Sequence, residues 1–246
     1  MTLRRSVART GALTSRSGAA ARVRVRFMLV IAGAIFALAA GAAVHAPTAS
    51  ACSATSHCYG IASSVDGNGF AGGSVYDRTN CINLASGAEF VTNELWAVTS
   101  NGARWIEGGI GKGAQLGTGG LQYFWGRNDP NLNPSFMSWN LGAAPANTYE
   151  PVTLELSSGQ WYVFNDGVWN HTSAVTTPVS TLQAGIETNS NNTSSWGSES
   201  SMERMENGGS WVDGWGPFLL TQQTNTRVQW VNQYDWIQMG AGSITC

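Results

Sequence analysis

Basic residues are nearly missing from most of this sequence. Of its 13 Lys and Arg residues, seven (Arg4, Arg5, Arg9, Arg16, Arg22, Arg24 and Arg26) fall within the first 51 positions, which contain no Asp or Glu. From Cys52 to Cys246, six basic residues stand against 15 acidic ones, a formal charge of −9 where the whole chain sums to −2. So acidic a surface excludes nucleic acid and anionic membranes as partners, because both reward positive charge. Helical patterning is missing too. No window carries apolar residues convincingly at i, i+3, i+4 and i+7, and a composition rich in Gly, Ser, Thr and Asn opposes a helical bundle or coiled coil. Only SESSMERMEN could make a helical turn or two.

Several chemistries lack their equipment. Beyond the first 51 residues only His57 and His171 remain, and neither accompanies a G-x-S-x-G motif, so a Ser-His-Asp triad has no support. The Cys and His spacing fits no zinc site, and Asp66-Gly67-Asn68-Gly69 lacks the further ligands of a calcium loop. Gly108 to Gly113 does not lead from a strand into a helix, so it builds no phosphate cradle. Neither a metal nor a cofactor is expected.

What is present begins with a leader. Arg22, Arg24 and Arg26 precede the apolar run Phe27 to Val44, and Pro47 and Ala49-Ser50-Ala51 follow it. Basic, apolar and small-residue regions in that order form a secretory signal peptide over 1–51, leaving a secreted, extracellular domain over 52–246 with no membrane association after cleavage. In an exported chain the four cysteines, Cys52, Cys58, Cys81 and Cys246, are expected to form two disulfides. Three cluster near the start of the domain and the fourth is the last residue, so at least one bridge should tie the two ends together. Sequence leaves the three possible pairings open.

From Phe90 onward short β-prone runs alternate with turn residues, among them EFVTNELWAVTS, ARWIEGGI, LQYFWGR, PVTLELSSG, WYVFNDGVWN and LQAGIETNS. This pattern predicts an all-β antiparallel sandwich, jelly-roll or concanavalin-like, with disulfides. Ser157-Ser158-Gly159 and Asn165-Asp166-Gly167 read as hairpin turns. Asp66 to Gly73 and Asn189 to Ser201 read as surface loops.

Alternation sorts side chains by face. Ile106, Gly108 and Ile110 share one face of their strand, with Trp105, Glu107 and Gly109 on the other; Leu182, Ala184 and Ile186 oppose Gln183, Gly185, Glu187 and Asn189. Each strand thus pairs an aliphatic face with a glutamate. Tyr123 and Trp125 share a face opposite Phe124, and if the three strands are neighbours, Trp105, Tyr123 and Trp125 surround Glu107 and Glu187. Two carboxyls among aromatics can divide acid and base work, one kept protonated and the other activating water, with an acidic working pH.

The succession WIEGGIGKG, LQYFWGRNDPN, PVTLELSSGQWYVFNDG and AGIETNS resembles the neprosin-like glutamic peptidases and related secreted actinobacterial β-sandwich proteins, and is distantly similar to the fungal glutamic peptidases. The resemblance implies that Glu107 and Glu187 are the catalytic pair, with Tyr123 and Trp125 lining the cleft for a polypeptide substrate; Trp105 joins them as a substrate-binding candidate on its place beside Glu107 in the alternation. Ile110 departs from it, standing where the family carries an aromatic. Two other readings fit the exposed-looking tryptophans: a concanavalin-like module that binds or hydrolyses polysaccharide, and a non-catalytic extracellular protein.

Overall fold

The computed structural model describes residues 52, 57–166, 168–172, 175–216 and 219–242. The leader, Gly167 and Cys246 lie outside these residues, and so does the predicted cleavage site. The described chain is almost entirely extended: β1 (Cys58–Arg78), β2 (Cys81–Asn83), β3 (Phe90–Val98), β4 (Trp105–Gly113), β5 (Gln122–Asn128), β6 (Phe136–Ala143), β7 (Tyr149–Ser157), β8 (Gln160–Asn165), β9 (Val168–Thr172), β10 (Val179–Thr188), β11 (Ser194–Glu206), β12 (Trp211–Asp213), β13 (Leu219–Gln222), β14 (Thr226–Asn232) and β15 (Trp236–Ala241). Every pairing is antiparallel. The predicted all-β sandwich is the fold observed.

One long strand joins the two layers. The first half of β1 lies between β13 and β10 in a front layer that continues through β3, β4, β5 and β6. Its second half lies between β11 and β7 in a back layer that carries β15 and β14 on one side and β8 and β9 on the other. The pairing with β10 shifts between Val65 and Phe70, where Gly69 takes φ 84°. Glycine accepts that left-handed conformation without strain. Asp66 to Gly73, expected as a loop, is therefore the bend of a strand that changes layers. Asn189 to Ser201 is corrected likewise: residues from Ser194 on belong to β11, whose continuation also turns the expected helical turn of SESSMERMEN into strand. In both segments long-range pairing overrides a loop-like composition.

The hairpins form where turn chemistry placed them. Ser158 and Gly159 adopt φ 52° and 73° between β7 and β8, and Asp166 adopts φ 44° between β8 and β9. Cys52 and Cys58 form a disulfide, and Cys81 is also disulfide-bonded.

The core lies between the layers. Leu95 and Ala97 from β3, Ile106 and Ile110 from β4, and Leu182, Ala184 and Ile186 from β10 are completely buried, against Val152, Leu154, Trp161 and Val163 of the back layer. A Cβ added to Gly108 would come within 2.6 Å of Val163, so β4 approaches β8 more closely there than any side chain would permit. The aliphatic faces read by alternation do form the core. Their opposite faces form the outer surface of the front layer.

Candidate active site

Register decides what that outer surface carries. Across β10, β3 and β4 the rows are Gln183–Trp96–Glu107, Gly185–Glu94–Gly109 and Glu187–Thr92–Gly111. Residues directly opposite one another share a face. Glu107, Glu94 and Glu187 therefore run diagonally over three adjacent strands, with Glu94 in the middle row. On the flanks, β1 places Tyr59 opposite Glu187, and β5 places Gly126 opposite Glu107 and Phe124 opposite Gly109.

These residues line two adjoining hollows. The outer one, about 410 Å³, is lined by Tyr59, Trp96, Trp105, Phe136 and Gln183 together with His57, Glu107 and Glu187. A smaller inner one of about 50 Å³ shares His57, Glu107, Phe136 and Glu187 and reaches Thr92, Glu94 and Phe124. Two of the sequence candidates, Glu107 and Glu187, thus meet in one cleft, and Trp105 lines it with them.

Tyr123 and Trp125 do not. Opposite Ile110 and Gly108 in the register, they point into the sandwich. The Tyr123 hydroxyl donates to Glu150 Oε2 at 2.7 Å, and Trp125 stacks on Trp139 with ring centroids 4.1 Å apart. The face expected for them belongs to Phe124 and Gly126. Alternation correctly separates Tyr123 and Trp125 from Phe124, but with aromatics on both sides it cannot say which side faces the core.

Each carboxyl has its own surroundings. Glu107, 5% exposed, accepts at Oε2 from the indole N–H groups of Trp105 at 2.9 Å and Trp96 at 3.1 Å. Burial, reinforced by the charge of Glu187, pushes Glu107 up to about 8, although the two indole bonds oppose the shift. Gly126 makes room for it, since a Cβ there would lie 2.4 Å from Glu107 Oε1. Glu187 meets donors instead. His57 Nδ1 pairs with its Oε1, and the Tyr59 hydroxyl also hydrogen-bonds to it. The Glu187 bond and charge raise His57 against its partial burial. The His57 ring also packs edge-on to Phe90 at 5.1 Å.

Sequence reading missed Trp96, Glu94, Tyr59 and His57. For the first two a signal existed: in FVTNELWAV, Thr92, Glu94 and Trp96 alternate with Val91, Asn93, Leu95 and Ala97, the same pattern that singled out Glu107. Tyr59 and His57 lie more than a hundred residues from Glu187, and only the pairing of β1 with β10 brings them together.

No family model and no curated protein sequence matches the chain. Solved structures do. Scytalido-glutamic peptidase bound to a transition state analog inhibitor superposes with a TM-score of 0.54 at 11% identity, over 74% of this chain and 97% of that one. SCP-B, a member of the eqolisin family of peptidases in complex with the tripeptide Ala-Ile-His, gives 0.53 at 10% identity, over 74% and 96%. The chain shares the fold of the glutamic peptidases. The likeness covers nearly the full length of those peptidases. Among the described residues no cluster of His, Cys, Asp and Glu is disposed to hold a metal ion.

Proposed function

We propose that the protein is a secreted glutamic endopeptidase of the neprosin-like kind, hydrolysing polypeptides with water activated between Glu107 and Glu187. One observation carries the reading: the two glutamates singled out in the sequence converge in one aromatic cleft, in different electrostatic settings. Glu107, buried among indoles, keeps its proton to about pH 8 and serves as the acid. Glu187, surrounded by donors, serves as the base. Glu187 takes a proton from water as the oxygen bonds to the scissile carbonyl carbon, and Glu107 gives its proton to the carbonyl oxygen. As the tetrahedral intermediate collapses, the C–N bond breaks, Glu187 passes its proton to the leaving nitrogen and Glu107 recovers its own. The fold shared with peptidases crystallised with peptide-based ligands supports a polypeptide substrate, and the basic and apolar leader supports export.

The test is cleavage of a denatured protein by the purified protein at acidic pH. Glu187→Gln removes the base and Glu107→Ala the acid, and each is expected to slow turnover by about 10² to 10⁴-fold, the usual worth of such groups. Absence of cleavage over a range of proteins and pH values, or cleavage indifferent to both substitutions, refutes the reading.

A further inference from the structure

The proposed hydrolysis needs two carboxyls, and the cleft holds three. Glu94 is the most deeply buried, 1% exposed against 5% for Glu107 and 8% for Glu187. It occupies the middle row between them, with Gly109 and Gly185 on either side. A Cβ on Gly109 would fall 2.7 Å from the Glu94 Cβ, so the glycine keeps that space open. Glu94 Oε1 accepts the Thr92 hydroxyl at 2.5 Å, while its buried Oε2 meets no donor. Glu187 lies one row along on the adjacent strand, on the same face, and lines the same inner hollow.

Among the described residues, the titratable groups that face Glu94 are acids, a tyrosine and one histidine already paired. β4 brings Glu107, β10 brings Glu187, β1 brings Tyr59, and His57 is engaged with Glu187. Ionised, Glu94 would be a buried charge beside two other acids, with one oxygen unsatisfied. Buried charges are seldom left without a partner. Protonated, the same oxygen becomes a donor, and Glu187, lining the same hollow, is the acceptor beside it.

We propose that Glu94 is a positioning residue that retains a proton and shares it with Glu187, holding the Glu187 carboxyl oriented for its work on water. The consequence for rate rests on the glutamic peptidase reading; the shared proton rests on the burial of Glu94, its unpartnered oxygen and its place beside Glu187. Burial and the charges of Glu107 and Glu187 hold the Glu94 carboxyl well above the usual carboxylate range, in keeping with this role.

Two variants and two readouts test it. In Glu94→Gln the amide oxygen can accept from Thr92 and the amide nitrogen can donate to Glu187, so kcat and its pH profile stay close to those of the parent. Glu94→Leu keeps the bulk and removes the donor: kcat falls by about ten- to a hundredfold, the worth of a hydrogen bond to a charged group, with KM unchanged. The acid limb of its kcat profile moves to higher pH, because a carboxylate that loses a donor is more easily protonated. Unchanged kcat in Glu94→Leu overturns the proposal, as does an acid limb displaced to lower pH in both variants, which is the signature of a deleted negative charge. The infrared C=O stretch of protonated carboxyls at neutral pH needs no turnover. The parent shows it and Glu94→Gln loses one component; an unchanged band overturns the shared proton even if the protein cleaves nothing, a result that would separately defeat the peptidase reading.

Discussion

Replacing Glu107 by Gln removes one proton-binding site that the fold stabilises, and the effect is measurable without any substrate. A carboxyl with an ordinary value of 4.5 stands at about 8 here, because burial and the neighbouring Glu187 favour its neutral form. Between these two values the folded protein keeps a proton that the unfolded chain has released. Stability from this group is therefore complete below about pH 4.5 and is lost as pH rises towards about 8, since unfolding is favoured wherever the unfolded state binds fewer protons. Each pH unit in that window corresponds to about 1.4 kcal/mol, so the parent loses on the order of 2 kcal/mol by pH 6 and 5 kcal/mol by pH 8 from Glu107. Glutamine imitates the neutral acid. Its amide oxygen can accept from Trp96 and Trp105, and it has no proton to lose. Urea unfolding of both proteins at pH 4, 6 and 8 and constant ionic strength measures the difference. Taken relative to pH 4, Glu107→Gln should become progressively more stable than the parent, by several kcal/mol at pH 8. Two stability curves that stay parallel over this range would refute a buried, neutral Glu107, and with it the assignment of Glu107 as the acid.

Two further substitutions probe the cleft wall and the sandwich interior. Gly126→Ala inserts a Cβ that would lie 2.4 Å from Glu107 Oε1; the side chain of Glu107 has to shift, so turnover should fall about tenfold or more while the melting temperature changes little, and full activity would show that the position of the carboxyl is not critical. Trp125→Ala deletes a core residue stacked on Trp139 and not a cleft residue; a loss of about 3–5 kcal/mol in unfolding free energy with unchanged KM is expected, and a raised KM at unchanged stability would return Trp125 to the substrate site.

The sequence was most legible where a single strand carries its own evidence. Alternation in WIEGGI and LQAGIET separated the core residues from Glu107 and Glu187 without reference to any other strand, because the side-chain period of a strand is local. It failed where the answer depended on a partner. Tyr123 and Trp125 alternate with Phe124 as expected, but only the pairing of Gly126 with Glu107 shows which set shares the cleft. Asp66 to Gly73 looked like loop because glycine disfavours isolated strands, yet here the glycines let β1 bend and let the strands around it approach closely: a Cβ at Gly72 would lie 2.9 Å from the Leu154 carbonyl. The pairing of Cys52 with Cys58 was open for the same reason, since cysteine positions alone do not choose among connectivities.

The division of labour proposed for Glu107 and Glu187 also depends on which strands adjoin them. Glu107 is bounded by β3 and β5, which supply the Trp96 indole and the bare backbone of Gly126. Indoles donate hydrogen bonds but bring no charge, so they soften the cost of burial without neutralising an anion, and the acid keeps its proton. Glu187 is bounded by β1, which supplies Tyr59, while His57, next to the disulfide-bonded Cys58, pairs with it from just ahead of that strand. That imidazole can carry a charge, and its bond to Glu187 raises its proton affinity. Two glutamates equivalent in the sequence, each in a β-strand with an aliphatic reverse face, are thus made inequivalent by their lateral neighbours. The proposed acid and base work requires that inequality, because two carboxyls in identical surroundings would leave neither one reliably protonated nor reliably ionised.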